Sequence, residues 1–219
     1  MLYSEDKKFI FVAVPKTGTT SIQRRLISVD SCLLRNRVHD IEGTLVKVTT
    51  HASALEIRKI MGPRAQEFTF VTFLRDPRDV VVSKYHFYRS GRAARKQGLA
   101  KGQSGDTISF NLGRTLRVLS AQLLPLSFWA RFYPFSSSAH FITDGIGRLI
   151  VDQIGTMERL QEDVDRIFGA FGYSYEELQL GTANHTQYER ARDPVIDAIA
   201  ERRLAADCEL FDRFRAGEC

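Results

Sequence analysis

The chain reads as an α/β protein, a single domain over residues 1–219 with a central parallel sheet flanked by helices. Three observations predict this. Apolar stretches alternate with stretches of helical spacing through the first third of the sequence, the order expected of a parallel sheet. The first apolar stretch stops abruptly at Pro15-Lys16-Thr17-Gly18-Thr19-Thr20-Ser21 and gives way to Ile22 and Leu26, four residues apart. Hydrophobic content of 43% over 219 residues is enough for one substantial core, and two independent domains are not expected.

Taken in order, Lys8–Val14 reads as a buried strand, Thr20–Val29 as a helix and Thr44–Thr50 as a second strand. Ser53–Met61 follows as a helix, because Ser53 with Glu56 three residues on makes a capping box. Phe68–Leu74 is a third strand, completing a βαβαβ order that implies parallel pairing. Asp76-Pro77 with Asp79 supplies a cap, a first-turn proline and an acid, so a helix opens there. Residues 91–106 are glycine-rich, basic and without periodicity, and read as a flexible loop. Between Thr107 and Ser138, Leu112, Leu116, Leu119 and Leu123 recur at helical spacing. Phe128, Trp129, Phe132, Tyr133 and Phe135 then form an aromatic cluster, better read as core than as a binding platform. Leu149–Gly155 reads as a late strand and Glu158–Phe171 as an amphipathic helix. Asp193-Pro194 opens a C-terminal helix reaching Phe214.

The net charge of +5 is uneven: Arg89, Arg92, Arg95, Lys96 and Lys101 occur without an intervening acid. Such a stretch attracts phosphates, nucleic acid, membrane surfaces or acidic sugars without choosing among them, and basic solvated loops are common. Cys32, Cys208 and Cys219 are widely spaced and form no metal-ligand pattern, so a reducing, cytoplasmic setting is expected and no metal site. A strand begins too early for a signal peptide, and no apolar run approaches the ~20 residues of a membrane span.

The loop from Pro15 to Ser21 carries the first chemistry. Small residues, hydroxyls and one lysine at a helix N-terminus form a P-loop-like, nucleotide-binding arrangement suited to a phosphate-like anion. It is not a Walker A sequence, since Lys16 precedes Gly18 rather than following a second glycine. The second constellation is Phe68–Tyr88. Arg75 stands where the third strand ends, and Ser83 lies eight residues on, inside the next helix. Carboxyl ends of parallel strands form the ligand crevice of such sheets, so Lys16 and Arg75 are expected to face one pocket.

Together these two motifs resemble the sulfotransferases that use 3′-phosphoadenosine 5′-phosphosulfate (PAPS), both the cytosolic and the carbohydrate-type branches. The resemblance implies that Lys16, Thr17, Gly18, Thr19, Thr20 and Ser21 hold the 5′-phosphosulfate and that Arg75 and Ser83 hold the 3′-phosphate. Weaker similarities lie at His51–Ile57, at Ile154–Leu160 with Asp163, and at Asn184-His185-Thr186, which brings His185 near the nucleotide. Resemblance is poorest from Gly91 to Thr143, where the helical region 107–143 is expected on the acceptor side.

The implied activity is transfer of a sulfuryl group from PAPS to a hydroxyl, less readily an amine, of a carbohydrate or small-molecule acceptor. The nucleotide product is adenosine 3′,5′-bisphosphate (PAP), and no metal is required. Lys16 suits the charge growing on the leaving phosphate. His51 follows the second strand directly and is the expected general base, with His185 second. His86 is expected to be packed, and His39 and His140 have no supporting context. The chain departs from cytosolic relatives in having Thr49, not lysine, two residues before His51. Two other readings stay open at this point: a P-loop-type nucleotide kinase, and a non-catalytic module that binds PAP or an acidic polymer.

Overall fold

The computed structural model describes residues 1–35, 38–41, 44–90, 112–180 and 193–217. In chain order the elements are β1 (Leu2–Ser4), β2 (Phe9–Val12), α1 (Thr19–Val29), β3 (Leu34–Arg35), β4 (Val38–Ile41), β5 (Thr44–Lys47), α2 (Ala54–Met61) and β6 (Thr69–Leu74). There follow α3 (Pro77–Arg89), α4 (Leu112–Leu123), α5 (Leu126–Phe132), α6 (Ala139–Ile142), β7 (Gln153–Thr156), α7 (Leu160–Gly169), α8 (Pro194–Arg203) and α9 (Ala205–Arg215). They group into two units, one made of Met1–Asp76, Ser136–His185 and Glu209–Cys219, the other of Pro77–Phe135 and Thr186–Cys208.

The first unit is α/β, with a sheet in the order β3-β1-β2-β6-β7. β2, β6 and β7 are parallel, with Phe9 opposite Thr69, Val12 opposite Thr72 and Leu74 opposite Thr156. β1 runs antiparallel to β2, and β3 antiparallel to β1. The sheet is therefore mixed, which corrects the expectation of a parallel one. The expected second strand is also corrected: Thr44–Lys47 pairs antiparallel with Val38–Ile41 in a separate hairpin. The physical reason is at the edge of β2. The first residues turn back through Lys8, at φ 52°, and Leu2 pairs with Phe11, occupying the hydrogen-bonding edge that a second parallel strand would need. Local antiparallel pairing needs only a short connection and so costs less closure entropy than a crossover.

Burial explains why β2 reads as a continuous apolar run. Phe9 and Phe11 point to one face with Val71 and Phe73, packed by Ile22 and Leu26 of α1 and Val164, Ile167 and Phe168 of α7. Ile10 and Val12 point to the other with Phe70, packed by Ala54 and Ile57 of α2. The period-2 alternation sends neighbouring residues to opposite faces, and both faces are covered. Each fully buried large side chain contributes about 1.5–3 kcal/mol, so the sheet centre is the anchor of this unit.

The second unit is helical, described here through α3, α4, α5 and α8. Its core holds Val81, Tyr85, Trp129, Tyr133, Ile196, Ile199 and Leu204. Trp129 and Tyr133 stack with centroids 4.3 Å apart, and the Tyr85 hydroxyl donates to the Leu124 carbonyl at 2.9 Å. Trp129 and Tyr133 meet the core expectation; Phe128 and Phe132 do not, being exposed. The expected C-terminal helix breaks at Leu204, whose φ of −128° leaves the helical region while its N–H still bonds the Ala200 carbonyl. The break keeps Leu204 buried, which no glycine or proline in the sequence announces. Among the described residues no helix is long and apolar enough to cross a membrane.

Candidate anion-binding site at the carboxyl ends of the parallel strands

All the parallel strands of the first unit end on the same side, and three chain segments emerge there: Ala13–Gly18 after β2, Arg75-Asp76 after β6, and Met157-Glu158 after β7. The ends of β6 and β7 are tied together. The Met157 N–H donates to the Leu74 carbonyl at 2.9 Å, and the Asp76 N–H donates to Oε1 of Glu158 at 3.3 Å.

The loop after β2 has an unusual backbone. Lys16 lies at φ 74° and Gly18 at φ 72°, both left-handed, with Thr17 between them. A lysine in this region costs on the order of 1–2 kcal/mol, so the surroundings must hold it there. Two buried hydroxyls do so: Thr17 Oγ1 and Thr19 Oγ1 both donate to the Val14 carbonyl, at 3.0 and 2.8 Å. These protons are engaged inside the loop, so Thr17 and Thr19 shape it, whereas Thr20 is exposed and Ser21 half-buried. Gly18 is the N-cap of α1, and no side chain caps that end. The Ser21 N–H bonds back to the Gly18 carbonyl at 2.9 Å, and the helix dipole favours an anion at this end. A Cβ on Gly18 would come within 2.5 Å of Sδ of the flexible Met157 side chain, which would have to shift, and the left-handed φ of 72° is the stronger reason for glycine.

His51 is held against the start of this loop. Its Nδ1 lies 2.7 Å from the carbonyl oxygen of Ala13, the residue following β2. A carbonyl oxygen only accepts, so Nδ1 carries the proton, and the neutral ring keeps its lone pair on Nε2. The ring is otherwise exposed. Its chain position is fixed by the capping box of α2: the Glu56 N–H donates to Ser53 Oγ at 3.2 Å, and the Ser53 N–H donates to Glu56 Oε2 at 2.7 Å. That backbone bond holds the Glu56 carboxyl below its usual range. Arg75 and Asp76 are both buried at the end of β6.

Behind the site, Asp163 of α7 is buried and locks the end of β7. Its Oδ2 accepts from the Thr156 N–H at 2.8 Å and from Thr156 Oγ1 at 3.1 Å, while Oδ1 accepts from Arg166 at 3.0 Å. Asp163 was legible only as part of a resembling segment; its capping of a strand end has no local sequence signal. The Ala13 carbonyl and the Met157 contact were likewise invisible, the first because any residue has a carbonyl, the second because it joins distant segments.

Of the other expected site residues, Ser83 is buried on α3 in the second unit. His185 and the basic loop 91–106 lie outside the described residues. His86 is half-buried against Tyr85, and burial lowers its pKa. His140 is exposed. Among the described residues no group of three or more His, Cys, Asp or Glu is placed to hold a metal ion. No family model, curated protein or solved structure matches the chain.

Proposed function

We propose that this protein is a PAPS-dependent sulfotransferase acting on a hydroxyl of a carbohydrate or small-molecule acceptor. The observation that carries the reading is the His51 ring, fastened through Nδ1 to the Ala13 carbonyl with Nε2 left as a base beside an anion loop. An anion loop alone would suit many nucleotide-binding proteins. A base with a defined tautomer at its root suits a reaction in which an acceptor hydroxyl must lose a proton.

The residues fit a phosphosulfate in their chemistry. The dipole at the N-terminal end of α1, which no side chain caps, and the Lys16 ammonium favour a multiply charged anion, and Arg75 adds a second cationic position for the 3′-phosphate. In the reaction the acceptor oxygen forms a bond to sulfur while the bond from sulfur to the bridging phosphate oxygen breaks, the leaving nucleotide keeping the electron pair. The acceptor proton passes to His51 Nε2. Lys16 offsets the negative charge that grows on the departing phosphate. Positioning and electrostatics supply most of the acceleration, as in phosphoryl transfer.

The test is thermal denaturation with nucleotides. PAP should raise Tm without Mg²⁺, by mass action on the native state, and adenosine 5′-phosphosulfate, which lacks the 3′-phosphate, should do so much less. Arg75→Ala should remove that difference, since a charge-assisted phosphate contact contributes about 1.5–3 kcal/mol. Equal stabilisation by both nucleotides in the native protein, or a strict need for Mg²⁺, would overturn the reading.

A further inference from the structure

Lys84 of α3 is a buried ammonium that the proposed chemistry leaves unused. It is 8% exposed, and its Nζ stands 5.9 Å from the centroid of the Tyr133 ring and 5.5 Å from that of Phe135. Among the described residues no acceptor lies within hydrogen-bonding distance of it. Ring faces offset only part of what an ammonium loses on leaving water. Two further cations meet the same rings, whose centroids are 4.8 Å apart. The Arg117 guanidinium of α4 lies over Tyr133 and the Arg203 guanidinium of α8 over Phe135, each 5.9 Å from the ring centroid. Both arginines are exposed, so the cluster leads from the surface to a buried lysine. Arg203 also donates to the Arg131 carbonyl, and Arg117 has no hydrogen-bond acceptor among the described residues.

The charge balance selects the ligand. Burial lowers the Lys84 pKa, Asp207 of α9 raises it again and Arg117 lowers it further. Three cations thus face one pair of rings, and Asp207 is the one carboxylate among the described residues that acts on the buried one, which leaves an excess of two positive charges. Like charges gathered against buried rings repel, and an anion between them relieves the repulsion while giving Lys84 an acceptor. A carboxylate ligand would offset one of the two excess charges, whereas a phosphate monoester, at about −2, offsets both. A lysine this buried admits a small terminal group rather than a polymer chain.

We propose that Lys84, Arg117 and Arg203 form a binding site on the helical unit for the terminal phosphate of a small phosphate monoester. The proposal is independent of the sulfotransferase reading, because it uses no residue of the anion loop.

Thermal denaturation of the full chain with glycerol 3-phosphate, inorganic phosphate and acetate, against sodium chloride at matched ionic strength, tests it. Glycerol 3-phosphate and inorganic phosphate should both raise Tm, and acetate should do so much less. The response should persist in K16A, which removes the lysine of the anion loop. K84M takes out a buried charge, so the protein should melt no lower, while its affinity for glycerol 3-phosphate falls at least about tenfold. R117Q, at an exposed position, should weaken binding about threefold. In K16A the Tm gain from glycerol 3-phosphate should shrink from about pH 8 to about pH 9.5 as Lys84 loses its proton, and in K16A/K84M no such decline should appear. An unchanged response in K84M, or its loss in K16A, would overturn the proposal. Equal stabilisation by acetate, or a response to inorganic phosphate alone, would overturn the assignment of a phosphate monoester.

Discussion

His51 donates its Nδ1 proton to the carbonyl oxygen of Ala13 across 2.7 Å, and Ala13, the residue after β2, stands three positions before Lys16. One hydrogen bond therefore decides both where the imidazole sits and which nitrogen can accept a proton. His51→Ala should lower kcat by about 10²–10⁴-fold and leave PAP affinity nearly unchanged, as expected for loss of a general base. Steady-state kinetics with a calorimetric PAP titration would check this. Full activity in the variant would remove His51 from the chemistry.

Gly18 answers two demands at once, a left-handed φ of 72° and the nearness of Met157. Gly18→Ala should cost about 1–2 kcal/mol from backbone strain, with a further loss where the new methyl meets Met157 Sδ. In the double variant G18A/M157A the steric part should be recovered and the strain should remain. Urea denaturation of the three variants, with M157A as the reference, would separate the two parts. Complete recovery in the double variant would show that φ was not limiting.

Asp163 is buried and satisfies both the backbone N–H and the hydroxyl of Thr156. Asp163→Ala leaves these donors without their acceptor and should destabilise by about 1–3 kcal/mol or somewhat more. Arg166→Ala should cost much less, since that guanidinium is half exposed and screened by water. Chemical denaturation of both variants would rank them. A larger loss in the Arg166 variant would contradict the geometry.

Lys84 of α3 is buried against the rings of Phe135 and Tyr133, its Nζ 5.5 and 5.9 Å from their centroids. Burial pushes its ammonium from 10.5 down to about 8; Asp207 pulls it back up and Arg117 pushes it further down. Between about 8 and 10.5 the unfolded chain therefore holds more protons at this position than the folded one, so stability rises with pH across that window. Below about 8 both states are protonated and the cost of the buried charge is present in full. Relative to Lys84→Met, the native protein should gain on the order of 2–3 kcal/mol between pH 7 and the upper end of the window. Urea titrations at the two ends would show it, and parallel pH profiles would place Lys84 in a wetter setting.

Several elements were legible from local chemistry. Ser53 and Glu56 announced α2, Asp76-Pro77 announced α3, and the stop at Pro15 announced the loop between β2 and α1, because caps and turns depend on residues a few positions apart. What sequence alone misjudged was pairing. Thr44–Lys47 has the composition of a strand, yet which partner it takes depended on Leu2–Ser4 already lying against β2, an outcome of competition between distant segments.

Sequence by itself determined the strand at β2, the loop after it with Lys16 and Gly18, and the starts of α2 and α3, since each rests on residue type and short-range spacing. Tertiary structure alone decided the mixed sheet, the tautomer of His51, the Met157 contact with Gly18 and the outward leucines of α4. Those depend on backbone atoms and on faces that meet only after folding, and neither has a signature in the order of side chains.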